Sequence, residues 1–99
     1  MPMPFCSCLV LVKPEKLQLV ASETTVCLGD VVNFTCSADG KPAVHVYELF
    51  ENGTLVANSS SPIVWSKIMS SGGVFIYKCV ANNTVGSADT TKSVTVNGT

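Results

Sequence analysis

The sequence predicts an all-β fold, an antiparallel sandwich or barrel, on three observations. Apolar residues recur mostly at period two, as strands with one buried face require. Clusters of Gly, Pro, Asn, Asp and Ser break this pattern at short intervals, which marks several short strands joined by turns. No segment carries the apolar spacing of an amphipathic helix.

Taken in order, the first strand is expected over 16–22, with Leu17 and Leu19 on one face, and a second over 24–28. Gly29-Asp30 turns the chain into 31–37, where Val32, Phe34 and Cys36 share one face while Asn33 and Thr35 share the other. A loop over 38–42 leads to a strand over 43–50. Asn52-Gly53 then reads as a tight hairpin, because both residues tolerate positive φ. A return strand is expected over 54–57 and a polar loop over 58–61. A strand over 62–69 follows, with Ile63 and Trp65 on one face. After a turn over 70–73, residues 74–82 place Phe75, Tyr77, Cys79 and Ala81 on one face. Asn83 to Gly86 forms the last hairpin loop before a strand over 87–96.

Ninety-nine residues make one domain, since a second core would not fit. With 46% hydrophobic and 13% charged residues, the chain is apolar enough to fold and too apolar to be disordered. Six basic residues are scattered, clustering no further than Lys13 and Lys16, so the basic stripe of a nucleic-acid binder is missing. Nothing approaches the roughly 18 consecutive apolar residues of a membrane span, so no direct membrane insertion is expected within this chain.

Five cysteines and five N-x-S/T sequons, at Asn33, Asn52, Asn58, Asn82 and Asn97, favour an oxidising, secretory route and an extracellular location. Residues 1–15 read as a leading segment, with residues 16–97 forming the domain. The apolar run from Cys6 to Val12 fits a signal-peptide remnant, but lacks the basic stretch and small-residue cleavage site. The end of a preceding domain's last strand followed by a linker fits better.

Cys36 and Cys79 lie 43 positions apart on expected core faces, and Tyr77 stands two residues before Cys79. Cys36-x-Ala38-x-Gly40-x-Pro42, Cys79-x-Ala81-x-Asn83-x-x-Gly86, the Gly29-Asp30 turn and Ile63-x-Trp65-x-x-Ile68 complete a set of motifs. Over about residues 16–96 this set resembles the immunoglobulin superfamily, and its intermediate type in particular. The resemblance implies an immunoglobulin-like antiparallel β-sandwich with Greek-key connections. It further implies a Cys36–Cys79 inter-sheet disulfide and a tyrosine corner at Tyr77, whose hydroxyl ties down the preceding corner.

Two features depart from the family pattern. Leu49, with Tyr47 on the same face, stands where a tryptophan is usual, and the single tryptophan, Trp65, is expected to supply the bulk from the facing sheet. Gly73-Val74-Phe75 replaces the usual Asp-x-Gly before the tyrosine, which removes the customary aspartate salt bridge. The short stretch from Gly53 to Ile63 leaves no room for the extra hairpin of a variable-type domain. Of the other cysteines, Cys27 can bridge to Cys6 or to Cys8, and an odd total leaves at least one free, modified or intermolecular.

Nothing assembles an active site. There is one histidine, His45, expected near the sandwich rim, and no Gly-x-Ser-x-Gly elbow, phosphate loop or His-Glu-x-x-His. Cys6-x-Cys8 with His45 lacks a coherent second pair of ligands for zinc. No enzyme activity, cofactor or metal is therefore expected. Strand parity instead suggests an apolar outer face made of Val44, Val46, Phe50, Ile76 and Val80. Asn33 is expected to point out of the opposite sheet, Asn58 to lie in a loop near that sheet's edge, Asn52 at a hairpin tip, and Asn82 at one rim. The expected function is an adhesion or recognition module that binds another protein through this face, the partner being another immunoglobulin-like domain of the same or a different kind. A passive spacer in a secreted matrix or receptor array is the alternative.

Overall fold

In a computed structural model, which describes residues 11–98, eight strands form two facing sheets. They are β1 (Val12–Ala21), β2 (Thr25–Cys27), β3 (Val31–Lys41), β4 (Val46–Glu51), β5 (Thr54–Ser59), β6 (Ile63–Ile68), β7 (Gly73–Asn82) and β8 (Ser87–Asn97). One sheet has the order β1-β3-β6, the other β2-β8-β7-β4-β5. All pairings are antiparallel except that of β2 with β8, which is parallel. The chain changes sheets at every connection except those from β4 to β5 and from β7 to β8, so most strands adjacent in sequence cover opposite sides of one core.

That core follows from the alternation along β3, β4 and β7. Val32, Phe34 and Cys36 face Leu49, Tyr77 and Cys79, all essentially buried. Cys36 and Cys79 are joined across the sheets, with their Cα atoms 6.6 Å apart. On the entropic account, closing a loop of this length restricts the unfolded chain by about 4 kcal/mol. That is comparable with the whole stability of many small domains.

Leu49 pairs with Cys79 in register, at the place a tryptophan usually fills. The aromatic mass lies elsewhere. Phe34 stacks 4.2 Å from Tyr77 and 5.7 Å from Trp65, and Trp65 lies 6.3 Å from Tyr77. Trp65 on β6 thus adds bulk from the facing sheet, half-buried against Phe34 and Tyr77.

Four local expectations are corrected. β1 begins at Val12 rather than at residue 16: Val12 pairs with Lys41 and Pro14 is buried, with the register irregular around Lys16, whose φ is 55°. β4 begins at Val46, so Val44 precedes the strand and packs against the core instead of pointing outward. β5 runs on to Ser59, which puts Asn58 in a strand, opposite Glu48 on β4, and not in a loop beside the other sheet. β3 runs on to Lys41, through most of the stretch expected as a loop over 38–42, because β1 pairs with it there, Glu15 opposite Asp39 and Val12 opposite Lys41. Met69 continues the inward alternation of Ile63, Trp65 and Lys67, and its backbone exchanges hydrogen bonds with Asp30 and Gly29. The hairpin at Asn52-Gly53 forms as expected, with φ of 49° and 87°. Cys6 and Cys8 lie outside the described residues, and no bridge from Cys27 is described.

Candidate functional site: the sandwich ends and the outer faces

One end of the sandwich is organised by Asn83, the one buried polar residue among those described. Its Nδ2 donates to the carbonyls of Val12 (2.8 Å) and Pro42 (2.9 Å). Its Oδ1 accepts from the amides of Val85 (2.9 Å) and Gly86 (3.1 Å). A single amide thereby ties the start of β1, the β3–β4 connection and the β7–β8 turn together, and every polar atom of its side chain is satisfied. Gly40 passes so close that a Cβ there would lie 2.9 Å from Asn83 Nδ2 and 3.1 Å from the Pro42 carbonyl. The Gly40-x-Pro42 and Asn83-x-x-Gly86 motifs are therefore two halves of one hydrogen-bonded corner.

The other end departs from the expected tyrosine corner. Tyr77 is fully buried and its hydroxyl donates to the Glu51 carboxylate on β4, with Met69 Sδ at 3.9 Å. Its contact with the β6–β7 connection is to the Met69 side chain and not to the backbone of that corner. Lys67 of β6 binds the same carboxylate at 2.9 Å, so the ion pair joins the two sheets. Burial, followed by the adjoining Glu51 carboxylate, pushes the Tyr77 hydroxyl well above its ordinary range. The aspartate bridge whose absence the sequence predicted is thus replaced by a different pair. Sequence reasoning missed it by ending the strand at residue 50. The signal was nevertheless there, since Leu49 to Glu51 and Trp65 to Lys67 continue the inward parity.

The outer face of the five-stranded sheet carries Val46, Phe50 and Val80, each half-buried, and the more exposed Ile76. Polar groups interrupt them. Val46 stands opposite Asn82, Glu48 opposite Val80, and Phe50 opposite Lys78, and Lys78 reaches Asp89 on β8 at 3.4 Å. Asn58 and Asn82 border this face at one end. Asn52 borders it at the other, its Oδ1 accepting the Ile76 amide at 2.9 Å. Asn97 pairs with Cys27 at the β2 edge. Asn33 alone lies on the opposite sheet, as expected, on the solvent side of β3. His45 is exposed just before β4, with its amide donating to the Asn82 carbonyl.

The sequence matches the family model for the immunoglobulin domain over residues 16–97. The chain belongs to the immunoglobulin superfamily. No curated protein matches it in sequence. Among solved structures, a chimeric titin Z1Z2 carrying an exogenous decorin peptide is similar at a TM-score of 0.69 and 20% identity, covering 91% of this chain and 100% of that one. The Drosophila receptor protein tyrosine phosphatase DLAR Ig1-2 module aligns at a TM-score of 0.64 and 20% identity, over 84% of this chain and 50% of that one. The PKD domain of human SorCS2 aligns at 0.68 and 21% identity, over 99% of this chain and 83% of that one. At these identities the likeness is one of fold. The superfamily is generally non-enzymatic, and its domains commonly bind proteins or act as structural modules.

Proposed function

We propose that this domain is an extracellular recognition module that binds another immunoglobulin-like domain through the outer face of β4 and β7, and that a second copy of the chain can serve as that partner. The observation that carries the reading is the set Val46, Phe50, Ile76 and Val80 on the solvent side of two neighbouring strands, where a domain with no partner needs polar residues. Glu48 and Lys78, the latter paired with Asp89, set charges among these apolar residues that are suited to fixing orientation rather than to adding affinity. Glycans on Asn58, Asn82 and Asn52 would frame the contact and centre it on Phe50 and Lys78. The disulfide and the density of sequons support a secretory route.

Sedimentation of the secreted, glycosylated domain over a wide concentration range tests this. Reversible self-association that weakens by at least about tenfold in Phe50→Glu, the equivalent of roughly 1.4 kcal/mol, is the expected result. Equal behaviour of the two proteins would refute it.

A passive spacer is the second reading. It is favoured by the half-buried state of three of the four apolar residues on this face, and by the occurrence of similar folds in tandem titin domains. A spacer predicts a monomer at every concentration.

A further inference from the structure

The two most exposed apolar strand residues, Val64 and Ile68, lie on the other sheet. Val64 is 78% exposed, Ile68 63%, Val31 50% and Val20 49%. The register places them together: Val20 is opposite Thr35, Thr35 is opposite Val64, and Val31 is opposite Ile68. Between these two apolar rows lies a third, in which Asn33 stands opposite Ser66. From Val31 to Ser37 on β3, and on the strands paired with that stretch, the solvent side carries no charged side chain among the described residues. Naked, such a face is prone to association. β6 is moreover an edge strand of this sheet, with nothing hydrogen-bonded along its outer side.

Asn33 is an intact sequon with Thr35, and it sits at the middle of this surface. Its orientation is fixed. The Ser66 hydroxyl donates to Asn33 Oδ1, while the backbone N–H of Asn33 donates to Ser22 Oγ at 3.0 Å. Holding Oδ1 in this way leaves Nδ2, the atom that carries an N-linked glycan, free on the solvent side.

We infer that an N-glycan on Asn33 is the permanent cover of the three-stranded face, lying over Val20, Val31, Val64 and Ile68 and keeping that sheet out of protein contacts. The sugar closes one face and leaves the opposite one as the contact surface. Its covalent site is central to the patch, whereas Asn52, Asn58, Asn82 and Asn97 all belong to the five-stranded sheet or its turns. The inference rests on the secretory reading of the chain but not on the β4–β7 contact.

The test uses the secreted Phe50→Glu domain, so that association through the five-stranded sheet does not enter. Glycopeptide mass spectrometry is expected to find Asn33 occupied. Thr35→Ala, which removes the sequon and leaves the Asn33–Ser66 bond in place, is expected to self-associate at least about tenfold more tightly in sedimentation. Adding Val64→Ser to that variant should return it to the monomer, which it could not do if the association came from misfolding. Asn33 found bare while other sequons are occupied would overturn the inference alone, and a chain bare at every sequon would overturn the secretory reading with it. A Thr35→Ala protein that stays monomeric at every concentration, or whose association survives Val64→Ser, would overturn it as well.

Discussion

Glu51 satisfies two groups at once, the hydroxyl of a fully buried tyrosine and the ammonium of Lys67 from the other sheet. Removing the carboxylate would leave Tyr77 with a buried donor lacking its partner, the costly half of a broken hydrogen bond. The same arrangement couples stability to alkali. The fold favours the protonated phenol, so the stabilisation is fully present below the ordinary tyrosine value of about 10 and is lost as pH rises through the higher folded value. Urea unfolding measured from neutral pH into the alkaline range should therefore show stability falling steeply beyond about pH 10 in the native protein. The fall should be shallower in Tyr77→Phe, which has no proton to lose there. Equal slopes would mean that this hydroxyl is not held protonated by the fold. Tyr77 itself was legible from its place before Cys79. Its partner was not, because a hydrogen bond between sheets depends on how strands far apart in sequence are brought together, and no local pattern encodes that.

At the scale of the elements, alternation was enough to place the strands along the chain and to assign Phe34, Cys36, Leu49, Tyr77 and Cys79 to the core. The errors fall where pairing, not local pattern, decides the boundary. Val12 belongs to β1 because Lys41 offers it a partner. Val44 looks like an outward strand residue by parity, yet the ladder only begins at Val46, opposite Asn82. Asn58 reads as a loop residue in a run of serines, but a bulge between Leu49 and Phe50 lets β5 continue beside β4. Asn83 shows the opposite case, a motif residue whose purpose becomes visible only in three dimensions. Asn83→Ala should cost at least about 2 kcal/mol in urea unfolding, since it deprives two carbonyls and two amides of their partner. Hydrogen exchange should speed up at Val85 and Gly86, whose amides it holds. A loss below about 0.5 kcal/mol, the range of ordinary surface changes, would show that this corner is held by packing alone.

For the whole molecule, the two sheets present unlike surfaces. The three-stranded one is uncharged through its centre and carries a sequon there. The five-stranded one mixes apolar residues with Glu48, Lys78 and Asp89 and has sequons only at its borders. The sequence pointed to the second surface by parity and overlooked the first, because Val20, Val31, Val64 and Ile68 come from three strands and converge only when β1, β3 and β6 are assembled. The most direct test of the β4–β7 contact is the amide spectrum of the isotopically labelled, secreted, glycosylated domain, recorded across a concentration series. Shifts concentrated on Val46, Glu48, Phe50, Ile76, Lys78 and Val80, with β1, β3 and β6 unchanged, are the predicted result. Shifts centred on Val20, Val64 and Ile68, or none at any concentration, would contradict it.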